Sequence, residues 1–588
     1  VPRSKLSKCL IKIMDLQCKL LLYLDKRRYL EDMKSDCIKF YETELNDKTI
    51  NKFPPLRFLF EVDVMDILNV FPDVGEFLLK EPLKWQTICS GILFAVLQSI
   101  DEEATQNVQP AQVAVLVRTK SLSKLLTPPN TRHYNGLVSF EGALIALSKP
   151  ESYVYHTVWS CPEECEGSEV ILHFIPKVLR KCYVCKSTLF ENSGLRRCGE
   201  QIKATFKLGS SLCAKEFNVV DDLIPRLVLG SKYSIHAVVS KNLTVVLNLE
   251  EIVPLSTPIT SPIPKDIDEL YQTCNGVPWK FIYCLASSIG FNVCPLNCFM
   301  QLKISLLVSL SSVKANMLTG STIVHVLVAG LDTRYVGEIM KDAARLADSS
   351  ISLGTSNSAV STTLLASSGG VCTMPLPFHV YNQKQTSSVL SAIESGEIIT
   401  DSGKATLQCA VWSQGMDFKK IIVLNVASVF GTVCRGDLGE YSDEIGDFVL
   451  QRAIEPHETN DEEKQAAKDL LLYFDLVGGI EVVLDDSAEM LLKNYFLSAR
   501  KERPRCVSVS SMNALVATCM TSARLCRRTT TNIDDAVLAI WLHVSGSPEP
   551  RFAPEDYLQT PSDMKKLSKM MNSFKEWLQE FTGTFLLN

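Results

Sequence analysis

Four cysteines stand in two close pairs, Cys161-Pro-Glu-Glu-Cys165 and Cys182-Tyr-Val-Cys185, with 16 residues between them. Each short turn lets two thiolates point the same way, and the gap is long enough for a hairpin to return, so both pairs can close over one metal. Four thiolates fill a tetrahedral zinc and leave no position for water. The spacing therefore predicts one structural zinc and no catalytic metal. The remaining cysteines of the 20 in the chain are scattered, and His156, Cys198 and Cys213 are read as bystanders.

Elements of three kinds must carry these residues. The first hundred or so residues read as helical, with Leu20, Leu21 and Leu24, then Val64, Ile67, Leu68 and Phe71, at the three-to-four spacing of amphipathic helices. From Ala114 to Pro254 the pattern changes to short β-rich runs separated by Gly, Pro and Ser, which predicts a small barrel around the cysteine pairs. Pro254, Pro258, Pro262 and Pro264 sustain neither helix nor central strand and mark a linker. Beyond it, apolar runs suited to buried parallel strands (Ile323 to Ala329, Ile421 to Val426) alternate with helix-like stretches such as Glu338 to Asp348, as in a layered α/β domain. The last third returns to helix and ends in Met564 to Phe581. There Leu567, Met571, Phe574, Leu578 and Phe581 line one face, which is read as core.

Composition narrows the class. A chain of 588 residues is expected to hold three to four domains. With 46% hydrophobic and 21% charged residues it is a packed chain rather than a disordered one. A formal charge of -6 means that any nucleic-acid contact must come from local basic patches. The uncharged apolar stretch Phe281 to Leu302 is interrupted by Asn292, Pro295, Asn297 and Gln301, so no membrane span is expected. The opening Val1-Pro2-Arg3-Ser4 lacks the apolar core and cleavage site of a secretory signal. Scattered cysteines then fit reduced thiols in the cytosol or nucleus.

Several segments carry a family resemblance. Arg132-His-Tyr-Asn-Gly-Leu-Val-Ser-Phe-Glu-Gly142-Ala-Leu-Ile, followed by the first cysteine pair, and Leu229-Gly-Ser-Lys-Tyr-Ser-Ile-His-Ala-Val-Val239 resemble the first and closing strands of the oligonucleotide-binding (OB) barrel of minichromosome maintenance (MCM) helicases. Gly369-Gly-Val-Cys-Thr-Met-Pro-Leu-Pro-Phe378 resembles their Walker B strand, and Ala392-Ile-Glu-Ser-Gly-Glu-Ile-Ile399 the helix and hairpin after it. Asp443-Glu-Ile-Gly-Asp-Phe-Val-Leu-Gln-Arg452 and Asp534-Asp-Ala-Val-Leu-Ala-Ile540 resemble the helix after the arginine finger and the last lid helix. The resemblance runs over nearly the whole chain and is strongest to a divergent branch of the family, which the tail from Pro554-Glu-Asp-Tyr557 also resembles. It implies a multidomain α+β and α/β fold: a helical domain over 1–112, an OB domain over 113–254 with a zinc ribbon at about 159–190, and a linker over 255–268. A degenerate AAA+ α/β domain over 269–460, a helical lid over 461–550 and a C-terminal helix over 551–588 complete it.

The same resemblance exposes what is missing. ATP hydrolysis needs a glycine-rich loop, a phosphate-binding Lys, a hydroxyl and an acid on magnesium, and an arginine finger. Here the loop reads Gly330-Leu-Asp-Thr-Arg-Tyr-Val-Gly337, so Val336 stands for the Lys and Gly337 for the hydroxyl. Pro375 and Leu376 stand for the acidic pair. Val429 stands for the finger within Ser428-Val429-Phe430-Gly431, and Ser413 and Ser510 stand for the two sensors. Neighbouring Asp332, Arg334, Lys341 and Asp342 are read as a solvated loop and helix face. No functional Mg-ATP is expected.

DNA contact remains open to a barrel and ribbon. The candidates are Arg180, Lys181, Lys186, Arg196, Arg197 and Lys207, with Lys404 in a Gly403-Lys404 turn resembling the family's pore hairpin. The resemblance implies a nuclear, non-catalytic partner or scaffold in meiotic recombination and double-strand break repair, working on single strands or recombination intermediates and alongside MCM-like helicase subunits. The competing readings are an active ATP-dependent helicase subunit and a simpler zinc-ribbon/OB nucleic-acid module.

Overall fold

The computed structural model describes the chain except for residues 1–2, 46–53, 102–107, 123–135, 164, 166, 173–174, 210–212, 240–243, 258–260, 356–358, 417–420, 438, 455–460, 505, 562 and 585–588. The stretch Arg132 to Asn135, the head of the first barrel motif, and Pro258 of the linker fall outside the described residues. The chain divides into two compact units, Val1–Ile252 and Val253–Asn588. It is a multidomain mixed α/β protein with a helical N-terminal region and a five-stranded barrel.

The N-terminal region holds helices α1 (Arg3–Lys26), α2 (Tyr29–Phe40), α3 (Val64–Val70), α4 (Pro72–Lys80) and α5 (Pro82–Gln98). It also contains a strand that the helical reading passed over. In β1 (Leu56–Asp63) buried and exposed residues alternate with period two, and β1 pairs in parallel with β2 (Val113–Lys120). This alternation, Leu56, Phe58, Phe60 and Val62 inward, is a half-buried strand pattern too short to disturb the helical reading around it.

The barrel strands are β3 (Gly136–Leu147), β7 (Arg197–Leu208), β8 (Ala214–Val220), β9 (Lys232–Val239) and β10 (Thr244–Glu251); β4 (Glu151–Ser160), β5 (Glu169–Leu172) and β6 (Phe190–Glu191) lie in the excursion between β3 and β7. Pairing runs β3-β9-β10-β8-β7, and β7 pairs again with β3, so these five strands close on themselves. Its interior is Phe140, Leu144, Phe206, Phe217, Tyr233, Ile235 and Val246, all buried.

In the second unit α6 (Lys265–Thr273) begins inside the stretch expected as linker, and α7 (Pro278–Ser287) and α8 (Met300–Thr319) follow. Helix α8 is buried on nearly every side, and Ser305, Ser309 and Ser312 settle their hydroxyls on carbonyls inside the core. Trp412 Nε1 donates to Ser309 Oγ at 2.8 Å, and Ser309 donates to Val324 O at 2.6 Å. The sheet is wholly parallel, β12 (Ser350–Ser352), β13 (Val371–Pro377), β16 (Ala410–Met416), β11 (His325–Ala329) and β17 (Gly431–Arg435) in spatial order. Helices α9 (Arg334–Ala343), α10 (Val360–Ala366) and α11 (Gln383–Ser395) connect the strands, and β14 (Glu397–Thr400) forms a separate hairpin with β15 (Gly403–Thr406). Ile421 to Val426, expected as a strand, lies in helix α12 (Ile421–Phe430), and the edge strand is the following β17. A continuous apolar run has no period that separates a buried strand from a buried helix.

Helices α13 (Ser442–Ile454), α14 (Asp461–Gly478), α15 (Asp486–Glu502), α16 (Val509–Leu525), α17 (Ile533–Ser545) and α18 (Met564–Thr582) complete the unit. On α18, Leu567, Met571, Phe574 and Leu578 are buried, as the apolar face predicts. Among the described residues no helix is long and apolar enough to cross a membrane. The α16–α17 pair is fastened by Asp535, which is fully buried and accepts from Arg528 Nη2 at 2.7 Å, Ser522 Oγ at 2.6 Å and the backbone N–H of Asn532 at 2.8 Å. Asp535→Ala leaves the Arg528 guanidinium without its carboxylate, so a loss of about 3–5 kcal/mol is expected. The corresponding measurement is the thermal melt, with Asp535→Asn retaining more stability than Asp535→Ala.

Candidate metal centre and switch-point cleft

The two cysteine pairs meet at the tip of the β4–β7 excursion. Cys161 leaves the end of β4, and Cys182 and Cys185 lie on the turn of a hairpin closed by a Lys181–Thr188 bridge. The Cys161–Cys185 and Cys165–Cys182 sulfur pairs are each 3.3 Å apart, Cys165–Cys185 is 3.7 Å, and all four sulfurs lie within 4.8 Å of one another. A tetrahedral ion with sulfur bonds of about 2.3 Å has sulfur–sulfur edges near 3.8 Å, so the spacing can hold one metal ion.

Local bonds favour thiolate at Cys182 and Cys185, whereas burial pushes the Cys161 thiol up to about 12. Val184 N–H donates to Cys182 Sγ at 3.4 Å, and the Ser187 hydroxyl and N–H hold the Cys185 thiol down at about 6. A Cβ on Gly167 would lie 2.0 Å from Cys182 Sγ, so only glycine lets the first knuckle close over the second. Trp159, Ile171 and Leu189 pack with Cys161 and Cys182 as a small core of their own. Cys198 and Cys213 are exposed and outside the cluster.

The second site is the crevice at the carboxyl ends of β11, β16 and β13, where the order of the parallel sheet reverses; open α/β sheets bind ligands at such points. The turn after β11 contains Gly330, and helix α9 carries Val336, which is fully buried, and Gly337. The loop entrance is braced by Asp437, whose Oδ1 accepts from the N–H of Leu331 at 2.7 Å and of Asp332 at 3.2 Å.

Across the crevice the β13–β16 register slips between Met374 and Pro377, so Pro375 and Leu376 bulge out of the ladder. A proline supplies no ladder donor, which accounts for the slip. The freed Pro375 carbonyl accepts from the side-chain amide of Gln414. That amide reaches Gly337 as well, because a Cβ there would lie 2.6 Å from both its nitrogen and its oxygen. Gln414 thus fills the space between the Gly337 and Pro375 positions. Gly415 follows at φ +82 and lets β16 pass close to Pro377. Ser413 is fully buried with its hydroxyl unbonded.

The structure therefore gathers Gly330, Val336, Gly337, Pro375 and Leu376 with Ser413 at adjacent strand ends. Val429 and Ser510 come together elsewhere. The Ser428 carbonyl accepts from Ser508 and Ser511 at the start of α16, and a Cβ on Gly431 would lie 3.2 Å from Ser510 O. Asp342, expected as part of a solvated face, instead turns inward, and burial holds its carboxyl above the usual range.

The basic candidates are dispersed, and several are matched by acids invisible in one dimension. Arg196 makes a two-pronged bond with Glu191 at 2.6 and 2.7 Å. Lys404 pairs with Glu397 at 2.8 Å, and Arg180 with Glu169 at 3.5 Å. Lys207 and Arg197 are partly buried on the barrel side, and burial lowers both their pKa values. Lys181 and Lys186 remain at the ribbon tip beside Val178, Leu179 and Tyr183, which is 75% exposed. Nothing in the spacing of charges pointed to this apolar and aromatic tip.

Residues 16–122 match the family described as MCMDC2, N-terminal domain. Minichromosome maintenance domain-containing protein 2 of Mus musculus is 20% identical, covering 89% of this chain and 89% of the mouse protein. The Rattus norvegicus and Homo sapiens proteins of the same name are also 20% identical, over 55% of this chain; the match spans 52% of each, about half of their length. The family model on the helical region and one relative aligned along most of the chain make this protein similar, at low identity, to the MCM-like minichromosome maintenance domain-containing protein 2.

Proposed function

We propose that the chain is a non-catalytic MCM-like subunit, a nuclear DNA-associated scaffold or partner in meiotic recombination and double-strand break repair. The observation that carries this reading is the Gln414 amide lying between Gly337 and Pro375. In an ATPase of this plan a hydroxyl and two carboxylates face a magnesium ion across that gap. A neutral amide brings the ion no negative charge and cannot take a proton from water as a carboxylate does, and Val336 gives the phosphates no charge. The second unit then acts as a degenerate AAA+ domain with α14 to α17 as its lid, kept for its contacts.

The closed five-stranded barrel has the architecture of an OB fold, and the four thiolates suit one structural zinc, with Cys161, Cys165, Cys182 and Cys185 as the full ligand set. Single strands are the favoured DNA form, because the ribbon tip offers Tyr183 for stacking next to Arg180, Lys181 and Lys186 for phosphates. Fluorescence anisotropy with a labelled single strand is expected to show affinity falling with salt at a log–log slope of about −0.7 per phosphate contact. Neutralising Arg180, Lys181 and Lys186 together is expected to weaken binding at least about tenfold and flatten that slope. A wild-type affinity indifferent to salt removes the DNA assignment. For the scaffold role the test is co-purification from meiotic tissue with mass spectrometry. Recovery of an MCM-like ATPase supports it, and recovery of the chain alone counts against it.

A further inference from the structure

Between α5, the β1–β2 pair and β4, the N-terminal unit leaves a cavity of about 250 Å³. Small residues make the room: Gly91, Ala111 and Ala114 line it, and a Cβ added at Gly91 would meet nothing within 4 Å. Most polar groups of the wall are bonded within the protein. Ser90 Oγ accepts from Val115 N at 3.0 Å and donates to Gln86 O at 3.0 Å, and the Gln112 side chain accepts from Gln109 N at 2.8 Å and donates to Pro54 O at 3.0 Å. The two guanidiniums are engaged as well: Arg57 pairs with Asp221 at 3.5 Å, and Arg197 donates to Gly194 O at 3.4 Å.

Two polar atoms of the wall are placed differently. His156 is 7% exposed, and its Nε2 finds no hydrogen-bond partner among the described residues. Gln86 donates Nε2 to Val115 O at 2.7 Å, which fixes the orientation of the amide and leaves Oε1 without a bond among the described residues. Burial, with Arg197 nearby, holds the His156 imidazole below its usual range, so the ring is neutral and Nε2 either carries the proton or offers a lone pair. An occupant that covers these atoms without bonding them leaves polar groups buried and unmatched, which disfavours it.

We propose that this cavity binds an amino-substituted purine or pyrimidine base. Gln86 Oε1 only accepts, so it selects an N–H. An exocyclic amine beside a ring nitrogen supplies two N–H groups and an acceptor side by side, and so meets Gln86 together with either tautomer of His156. Thymine and uracil carry one N–H flanked by carbonyls and satisfy both atoms in one tautomer only, and an apolar side chain of a partner protein satisfies neither. The size agrees, because sites for drug-sized ligands run from about 300 to 1,000 Å³ and a single ring system needs less. Tyr155 and Arg57, 5.1 Å apart, add an aromatic ring and a guanidinium to the lining, the surfaces on which unstacked bases lie. The same chemistry can arrive as a free nucleoside or as a base turned out of a single strand. The site goes beyond the scaffold reading and depends on neither the ATP cleft nor the ribbon tip.

The experiment measures binding to the full chain in two arms, above neutral pH. One compares deoxycytidine with thymidine by saturation-transfer NMR, and the other compares labelled oligodeoxycytidylate with oligothymidylate of equal length by fluorescence anisotropy. In at least one arm the cytosine ligand is expected to bind at least about tenfold more tightly than its thymine counterpart, and Gly91→Leu is expected to abolish that preference. Preference for the nucleoside assigns a free ligand, and preference confined to the strands assigns an unstacked base. Leucine is a better helix former than glycine and meets open space, so Gly91→Leu should melt no lower than wild type. Strand binding through the ribbon tip is separable, because neutralising Arg180, Lys181 and Lys186 should weaken both strands alike and leave their ratio unchanged. Absence of preference in both arms, a preference that survives Gly91→Leu, or displacement of the cytosine ligand by N-acetylphenylalaninamide would overturn the proposal.

Discussion

Cys182→Ser is expected to strip the chain of its zinc: wild-type protein should carry one zinc per chain by elemental analysis, and the variant well under half. Cys182 is 2% exposed and its sulfur is 3.3 Å from that of Cys165, so a serine there removes one of four ligands and leaves the other three with a shorter, harder oxygen in the gap. In small zinc domains the metal contributes about 10–16 kcal/mol of apparent binding energy, most of which appears as folding. Among the described residues the ribbon's own core is Trp159, Ile171 and Leu189 beside the cysteines, too few apolar residues to hold a fold without the ion. The barrel has a separate interior of Phe140, Phe206, Phe217 and Tyr233 and should stay folded, so far-UV circular dichroism should change little while proteolysis cuts the ribbon. Cys198→Ser and Cys213→Ser are the controls and should keep full zinc content. Unchanged zinc in Cys182→Ser would remove the metal assignment.

No ATP turnover above background is expected from the wild-type chain, and the fourfold variant Val336→Lys, Gly337→Ser, Pro375→Asp, Leu376→Glu should remain inactive. The reason is geometric. A serine Cβ at position 337 would sit 2.6 Å from the Gln414 amide, so the restored hydroxyl meets a side chain where an ion should be. The variant would also still lack a finger, because Val429 is apolar; in phosphoryl transfer that residue alone is worth about 10³–10⁵ in rate. Adding Gln414→Ala is expected to recover at most nucleotide binding, read by a fluorescent ATP analogue. A magnesium-dependent wild-type rate that Asp332→Asn abolishes would show that the loop carries a different constellation, and the non-catalytic reading would fall.

Cysteine spacing revealed the four-cysteine cluster because a knuckle is a local object, complete within a few residues on each side. Gly167 shows the limit. It lies two residues from Cys165, but its need to be glycine comes from Cys182 on the returning hairpin. The cleft divides the same way. Substitution of Val336, Gly337, Pro375 and Leu376 is visible once the motif is aligned, whereas the occupant of the vacated space, Gln414, arrives from a strand inserted between the other two. Charge was the least legible property. Arg196 and Lys404 read as free cations until folding sets Glu191 and Glu397 against them. Short elements also escaped, as with β1 inside a helical region and α12 in an apolar run without period.

By itself the chain's order of residues determined where four thiols can gather around one metal ion, since that follows from residue type and near-neighbour spacing. Only the tertiary structure decided that the Gln414 amide lies between Gly337 and Pro375, which basic residues are matched by acids, and that Gly91, Arg57, Arg197 and His156 share one cavity. Packing sets those outcomes, because it brings together groups that are tens to hundreds of positions apart in the chain.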